Sequence, residues 1–380
     1  YYPVLQVDQG GWYFISKVWL NLGVPPYTGA IADDKPPGIF LVFAISNLLS
    51  GENRLFSRFL AAALLVGGGA ALWGMARSKI GGIGGAWSLA VYAVVLLWSK
   101  TDAAFVDYTE SYLITFSVFA FCAYSANSRQ RAIWAGMLMG CALLFKQTAV
   151  CSLAALLGYA FISSSGRRAA VEDCAKIMAG VVAVNLAAVL FFLAQGSTLS
   201  AYFKWVWFFA SDYGTYSKSL EVWAENFFFA WRPWLVFLPV LVFFFLTPRS
   251  GAECSASFRR VIILWLMCDF TAVNLSGRYF PHQFRQLVPS LALVCGFAAQ
   301  DISVFWKSAE RERLAVSAAI LFALGMLFWE SKMLLEERIN FTHIMAGKLA
   351  GELTREGEKV YVAYEGGGAI QTYSGRYSPV

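Results

Sequence analysis

Acidic residues near the start of the chain and near residue 110 have the types and settings needed for group-transfer chemistry. Asp8 lies in VDQGGWYF, where Gly-Gly permits a turn and an aromatic stretch follows. A carboxylate there can act as general base toward an acceptor hydroxyl, and its alternative role is to cap a helix. Glu110, in DYTES, precedes an apolar run. Three roles are open for Glu110. It caps the following helix, where the helix dipole favours an acid, or it faces Asp8 across the site, or it binds a metal.

Lysines beside apolar sequence are candidates for binding an anion. Lys35 lies in DDKPPG, after Asp33 and Asp34 and before two prolines that fix the backbone. A lysine held at the level of the lipid head groups suits a lipid phosphate, and a simple pair with a neighbouring aspartate is the alternative. Lys146 interrupts a run of mostly apolar residues. It either extends from a helix end to the interface or holds an anionic ligand there.

A further basic cluster lies near residue 280. GRYFPHQFRQLVP carries Arg278, His282 and Arg285 around a proline. Three such groups near the membrane interface can bind phosphate or pyrophosphate. His282 is one of only two histidines in the chain, which excludes a histidine-rich zinc site. A divalent metal bound through carboxylates stays open, and no metal ligand is assigned.

The composition decides which kind of protein must position these residues. Hydrophobic residues occupy 58% of the 380 positions and charged residues only 14%, whereas a soluble domain carries about 25% charged residues. This excludes an ordinary soluble enzyme and predicts a protein of the lipid bilayer. The chain has a net charge of +6. Membrane proteins carry an excess of basic residues in their cytoplasmic loops, which accounts for this charge, so we expect no nucleic-acid partner. The seven cysteines lack CxxC spacing and indicate small core residues.

Apolar segments predict an all-α polytopic membrane protein with about ten transmembrane helices. The segments are 59–76, 82–98, 111–126, 132–145, 148–162, 176–195, 233–246, 260–275, 285–300 and 314–330. The apolar run 38–49 is too short to span a membrane and follows two prolines, which favours a helix in the interface. Basic residues recur in short loops at every second junction, and the positive-inside rule places those loops in the cytoplasm.

This topology gathers the polar candidates at the extracytoplasmic face, where Asp102, Asp107 and Asp212 join the residues named above. We expect three domains. They are an extracytoplasmic first loop with interfacial helices (1–54), a transmembrane domain (55–332), and the start of a small extracytoplasmic α/β domain (333–380). Because the chain begins at Tyr1 and ends within a pattern, we expect it to be a fragment.

The motifs and their order resemble those of a known family. The chain carries, in this order, VDQGGWYF, GVPPY, DDKPPG, YTES, LLFKQTA, GRYFPHQFRQLVP and YSGRYSP. The series is similar to that of polytopic membrane glycosyltransferases of the GT-C superfamily. Specifically, it looks like the bacterial and archaeal relatives of protein O-mannosyltransferases and lipid A aminoarabinose transferases, which are glycosyltransferase family 39 and its neighbours. DDKPPG together with the first-loop aspartate is the most specific part of the match.

The resemblance implies an inverting glycosyltransferase that takes a sugar from a polyprenyl-phosphate donor and passes it to an acceptor on the extracytoplasmic face. It implies Asp8 as the catalytic base and Glu110 as a second acid of the active site. The residues that it associates with the donor phosphate are Lys35, Lys146, Arg278 and His282. Additional candidates for the site are Asp34, Asp107 and Arg285.

The resemblance also implies a location and a set of partners. The membrane is the inner membrane of a bacterium or the plasma membrane of an archaeon, and the acceptor is a glycan, a lipid or a protein. The family's first transmembrane helix would precede Tyr1, and Gln9 stands where members often carry glutamate, a position that bears on any bound metal. The alternative function is a transporter or flippase of a lipid-linked sugar, which would distribute polar groups through the membrane.

Overall fold

The computed structural model describes residues 7–28, 34–51, 55–98, 101, 107–126, 128–208, 220–246, 253–275, 277–304, 342–355 and 358. The α-helices are α1 (Val7–Leu22), α2 (Gly38–Ser50), α3 (Leu55–Lys79), α4 (Gly82–Leu96), α5 (Thr109–Ser125), α6 (Arg131–Leu143), α7 (Ala149–Ser163), α8 (Arg167–Ala194), α9 (Leu199–Phe203), α10 (Leu220–Trp231), α11 (Leu238–Leu246), α12 (Glu253–Asn274), α13 (Val288–Val304) and α14 (Thr342–Leu353). A π-helical turn (Lys204–Phe208) follows α9, and 3-10 turns (Arg232–Phe237 and Pro281–Leu287) precede α11 and α13. The predicted all-α class is confirmed.

The predicted membrane segments coincide with these helices. Nine of the ten fall on helices of the described residues, whereas the segment 314–330 and the strand expected after residue 357 lie outside them. Among the described residues, three stretches are long and apolar enough to cross a membrane, namely α3, α8 and Trp223–Leu246, and α2, α4, α6 and α7 are shorter apolar helices. The chain is therefore an integral membrane protein.

The outer surface of α8 has the character of a lipid-facing helix. Val182, Leu186 and Leu190 follow one another at intervals of four residues, and each is more than half exposed. Four-residue spacing places them on one face of the helix. A continuous apolar stripe of this kind is stable next to lipid and unfavourable next to water.

The helices pack closely as a bundle. α6 lies between α5 and α8, α4 packs along α13, and α7 contacts α12. At the α6–α8 crossing, a Cβ atom on Gly136 would overlap the carbonyl oxygen of Ile177. Small residues at such crossings let two membrane helices approach closely, so the glycine sets the distance between these helices.

The first-loop helices α1 and α2 cover one end of the bundle through a cluster of buried aromatic residues. Trp12 of α1 contacts Phe43 of α2 in an edge-to-face geometry, with ring centroids 6.0 Å apart. The same cluster includes Tyr112 of α5 and Phe145 of the α6–α7 turn, whose rings stack at 4.4 Å. The first loop, the start of α5 and the α6–α7 turn therefore lie together at this end of the bundle.

The basic residues at helix ends lie away from this end. Arg131 begins α6 and pairs with Asp173 at 3.1 Å, and Arg259 near the start of α12 lies 3.8 Å from Asp301. Lys146 follows the other end of α6, which begins at Arg131 and is 13 residues long. At 1.5 Å per residue this is about 20 Å. Arg131 and Lys146 therefore lie at opposite ends of α6, and which end faces the cytoplasm stays a prediction.

Candidate active site

Glu110 is the acid at which two of the predicted cations meet. It lies in the first turn of α5 with only 1% of its surface exposed. Its Oε1 forms a buried ion pair with Lys146 Nζ and lies 3.8 Å from His282 Nε2. Its Oε2 accepts a hydrogen bond from the Thr109 hydroxyl at 2.9 Å. Because neighbouring cations favour the ionised carboxylate, Glu110 is better suited to hold Lys146 and His282 than to accept a proton.

The imidazole of His282 is held between aromatic rings. It stacks on Tyr108 with centroids 4.4 Å apart and an interplanar angle of 16°. It also stacks on Phe280 at 5.6 Å and 12°. Flat contacts of this kind fix the plane of the imidazole. The 3-10 turn that begins at Pro281 therefore presents His282 to Glu110 in a defined orientation.

The DDKPPG segment reaches the α6–α7 turn. Gln147 Nε2 donates a hydrogen bond to the backbone oxygen of Asp34 at 2.5 Å. Lys35 Nζ pairs with Asp34 Oδ1 at 2.5 Å, and 20% of the lysine side chain remains exposed. The Asp-Lys pair that the sequence left as an alternative for Lys35 is therefore present. The backbone next to Lys35 lies against the turn that carries Lys146, because Gln147 of that turn bonds to the Asp34 oxygen.

The start of α2 rests directly on this turn, and Gly38 makes that approach possible. Gly38 N donates a hydrogen bond to the Leu144 oxygen at 2.7 Å. A Cβ atom at position 38 would lie 2.6 Å from the same oxygen, which is well inside contact distance. Only glycine fits this position without a shift of backbone.

Gly38→Ala is accordingly expected to destabilise the protein by about 1–3 kcal/mol, the usual cost of overpacking. The measurement is the unfolding midpoint temperature of the purified full-length protein in detergent. Gly74→Ala serves as the control, because a Cβ atom at that position of α3 meets nothing within 4 Å. Equal midpoints for both variants would contradict the tight contact between α2 and the turn.

Asp107 ties α1 to α3 and to the start of α5. Its carboxylate accepts hydrogen bonds from the Gln9 amide and, at 2.8 Å, from the Ser57 hydroxyl. Burial raises the pKa of Asp107 above its ordinary value, and the Arg58 guanidinium and the Ser57 hydroxyl oppose that rise. A glutamate at position 9 would place a second carboxylate against Asp107. The glutamine instead supplies the donor that this buried acid needs.

Asp8 directly precedes Gln9, which bonds to Asp107. The surroundings of Asp8 differ from those of Glu110. Asp8 is the second residue of α1 and is partly buried. No residue in the described part of the chain donates a hydrogen bond to its carboxylate or pairs with it. Trp12, one turn further along α1, packs edge-on against Tyr108 at 6.1 Å. The segment that carries Asp8 therefore lies over the segment that carries Glu110.

The two predicted arginines have different settings. Arg285 is 2% exposed, and its Nε and Nη1 donate to the Thr101 oxygen and the Ser111 hydroxyl, both at 2.7 Å. These contacts favour a role in tying the 3-10 turn to α5 over direct binding of phosphate. Arg278 lies partly buried between α12 and that turn, and its binding of phosphate stays a prediction. The residues of the polar face that lie outside the described part of the chain are Asp33, Asp102 and Asp212.

Three polar residues near the site escaped the motif analysis, and two of them, Gln286 and Asp269, are buried. Gln147 and Gln286 carry no signal in the sequence, because glutamine is common in loops. Asp269 did carry one, since it is the only acid within the predicted span 260–275. An ionisable residue inside a membrane span is costly unless it is paired or functional.

The described residues contain no group of three or more histidine, cysteine, aspartate or glutamate side chains placed to hold a metal ion. Glu110 instead has the Lys146 ammonium group and the His282 imidazole as its close neighbours. A metal ligand is therefore not assigned.

Comparison with known proteins gives one family match and a match of the fold. Residues 34–193 match the model of the dolichyl-phosphate-mannose-protein mannosyltransferase family. The fold is similar to the crystal structure of ArnT from Cupriavidus metallidurans bound to undecaprenyl phosphate, with a TM-score of 0.70 and 15% identity over 98% of this chain and 80% of that chain. For ArnT in the apo state, the values are 0.68 and 14% over 97% and 80%. No curated protein matches the sequence significantly. The predicted resemblance to the GT-C superfamily is confirmed.

Proposed function

We propose that this chain, a membrane protein of the GT-C superfamily, transfers a sugar from a polyprenyl-phosphate donor to an acceptor on the extracytoplasmic face. The observation that carries the proposal is the convergence of Lys146 and His282 on buried Glu110, at the bundle end covered by α1 and α2. The mannosyltransferase family match and the likeness to ArnT, which binds undecaprenyl phosphate, support the donor class.

The cations stabilise the leaving group in this reaction. An acceptor oxygen attacks the anomeric carbon, the bond from that carbon to the phosphate oxygen breaks, and polyprenyl phosphate leaves with the bonding electrons. Negative charge grows on the phosphate as the bond breaks. Cations fixed in advance and shielded from bulk water stabilise such charge far better than mobile ones. Glu110 holds Lys146 and His282 in place for this purpose, and the backbone next to Lys35 lies against the turn that carries Lys146.

Asp8 takes the proton that the acceptor hydroxyl loses. Its carboxylate is without a hydrogen-bond donor in the described residues, whereas that of Glu110 is occupied by Lys146 and Thr109. A positioned general base accelerates such a step by about 10²–10⁴-fold. Attack and departure on opposite sides of one carbon invert its configuration, so the product has the opposite anomeric form to the donor.

The site end of the bundle faces away from the cytoplasm in this proposal. Arg131 and Arg259 lie at the opposite end, each beside an acid of a neighbouring helix. The positive-inside rule assigns that basic end to the cytoplasm. The active site then opens outside the inner membrane of a bacterium or the plasma membrane of an archaeon.

Lys35→Ala tests the role of the DDKPPG segment. Loss of a charge-assisted hydrogen bond costs about 1.5–3 kcal/mol, so we expect KM for the polyprenyl-phosphate donor to rise at least about tenfold. KM for the acceptor should stay within twofold, because the lysine is assigned to the phosphate alone. Steady-state kinetics with each substrate varied in turn measure both constants. Equal rises in the two constants would show that the Lys35–Asp34 pair is purely structural.

Mass spectrometry tests the proposed function itself. Purified full-length protein is supplied with a panel of polyprenyl-phosphate sugars and membrane extract from its own host. We expect one donor of the panel to be discharged to polyprenyl phosphate and an extract component to gain the mass of its sugar. If every donor is recovered intact while the protein remains folded, the proposal is wrong.

A further inference from the structure

The buried acid Asp269 is a titratable group that the proposed reaction does not use. It lies in the last two turns of α12, with none of its surface exposed. Its Oδ2 accepts a hydrogen bond from the Ser290 hydroxyl of α13 at 2.7 Å, and its Oδ1 accepts one from the Ser152 hydroxyl of α7 at 3.2 Å. Three elements of the bundle thus meet at one acid.

The hydrogen bonds continue from this acid toward the active site. Gln286 Nε2 donates to Ser152 Oγ at 3.4 Å and to the Thr148 oxygen at 3.1 Å. The Thr148 hydroxyl donates back to Gln286 Oε1 at 2.9 Å. We call Asp269, Ser152, Ser290, Gln286 and Thr148 the Asp269 network. Gln286 is 3% exposed, so its bonds form in a setting without water to replace them.

The two ends of this network carry the two cations of the site. Thr148 follows Lys146 by two residues in the α6–α7 turn, and Gln286 follows His282 by four in the 3-10 turn. The paired hydrogen bonds between Gln286 and Thr148 therefore clamp one cation-bearing turn to the other. Asp269 is connected to these paired hydrogen bonds through Ser152, which donates a hydrogen bond to Asp269 and accepts one from Gln286.

We propose that Asp269 is a positioning residue, whose network holds the turns of Lys146 and His282 together so that both cations face Glu110 and the donor phosphate. The inference rests on the proposed function, because it assigns the two cations to a donor phosphate. A positioning role of Asp269 differs from an ordinary packing role in one respect. Loss of the network moves the phosphate-binding groups, so it weakens the binding of phosphate more than it weakens the fold.

The hydrogen-bonding pattern explains why the position needs a carboxylate. Both hydrogen-bond partners of Asp269 approach as donors, one hydroxyl on each carboxylate oxygen. A carboxylate offers only acceptors, whereas an asparagine would turn an NH₂ group toward at least one donor. A buried donor facing another donor leaves both unsatisfied, which is costly. Asp269→Asn therefore keeps the volume of the side chain and disturbs only the network.

The experiment measures binding of undecaprenyl phosphate by its stabilisation of the full-length protein in nanodiscs, for wild type, Asp269→Asn and Gln286→Leu. A ligand raises the unfolding midpoint in proportion to its affinity. We expect the concentration of lipid phosphate needed for half of the shift to rise about tenfold or more in both variants, since small displacements of binding groups have effects of this size. Gln286→Leu keeps Asp269 and breaks the clamp, so it tests the inference even where Asp269→Asn folds poorly.

Asp301→Asn provides the matched control. It removes a carboxylate from its partner Arg259 at the far end of α13, so it should lower the midpoint without lipid and leave the affinity for lipid phosphate unchanged. If wild type binds and all three variants bind equally well, the positioning role of Asp269 is wrong while the proposed function stands. If wild type itself is not stabilised by undecaprenyl phosphate, the proposed function fails and the inference fails with it.

Discussion

Replacing Asp8 by asparagine should lower kcat for sugar transfer by about 10²–10⁴-fold, the usual contribution of a general base. The amide has the same shape as the carboxylate and cannot take up the acceptor proton. KM for the polyprenyl-phosphate donor should change little, because the cations assigned to the phosphate lie on the α6–α7 turn and the 3-10 turn. Initial rates at saturating donor and acceptor measure the effect.

Glu172→Gln is the matched control for this change. Glu172 makes an exposed pair with Arg168 on α8 at 3.3 Å, remote from the site, and a pair of this kind contributes little to stability. The control should transfer sugar at the wild-type rate. If Asp8→Asn also keeps the wild-type kcat while folding normally, Asp8 is not the base and its place at the start of α1 is that of a helix cap.

Removing Lys146 should have the largest effect on both stability and donor binding. Lys146→Met leaves Glu110, which is 1% exposed, without its close cationic partner. Breaking a buried ion pair by removing one member costs about 3–5 kcal/mol. We expect a markedly lower unfolding midpoint in detergent, and a rate of transfer too low to separate the loss of fold from the loss of catalysis.

Two further variants separate these losses. The double variant Lys146→Met/Glu110→Gln lacks both charges of the buried pair, so it should regain most of the midpoint, whereas Glu110→Gln alone leaves the Lys146 ammonium group without its carboxylate and should have a lower midpoint than wild type. If Lys146 stabilises the leaving phosphate, the double variant should remain about 10²-fold slower than Glu110→Gln alone, a typical loss for one electrostatic group. Equal rates for the two would restrict Lys146 to a structural role.

The helices and the ends of most of them follow from the sequence, because apolar periodicity is local. Basic residues on both sides of the run 132–162 required two crossings with a turn at Lys146, and the structure has α6 ending at Leu143 and α7 beginning at Ala149. The grouping of DDKPPG, DYTES and the His282 segment at one end also follows from that topology. The resemblance taken from the order of motifs agrees with the family match over residues 34–193 and with the ArnT-like fold.

The partners within the site do not follow from the sequence. Glu110 and Lys146 are 36 residues apart, and which acid meets which cation depends on how α5 and α6 pack. The residues left Glu110 open to capping α5, facing Asp8 or binding a metal, and left Lys146 open to reaching the interface or holding an anion. The structure pairs the two. Gln9 next to Asp107 and Gln286 next to Thr148 are contacts of the same kind, fixed by tertiary packing alone.

The most direct test follows an isotope-labelled sugar on a polyprenyl-phosphate donor in proteoliposomes that contain the full-length protein and acceptor extract. Mass spectrometry and NMR show where the label ends and in which anomeric form. We predict label covalently bound to an acceptor with inverted configuration, polyprenyl phosphate in equal amount, and neither product with Asp8→Asn. Label that crosses the bilayer still attached to its lipid, with no acceptor product, would contradict sugar transfer and identify a transporter of the lipid-linked sugar.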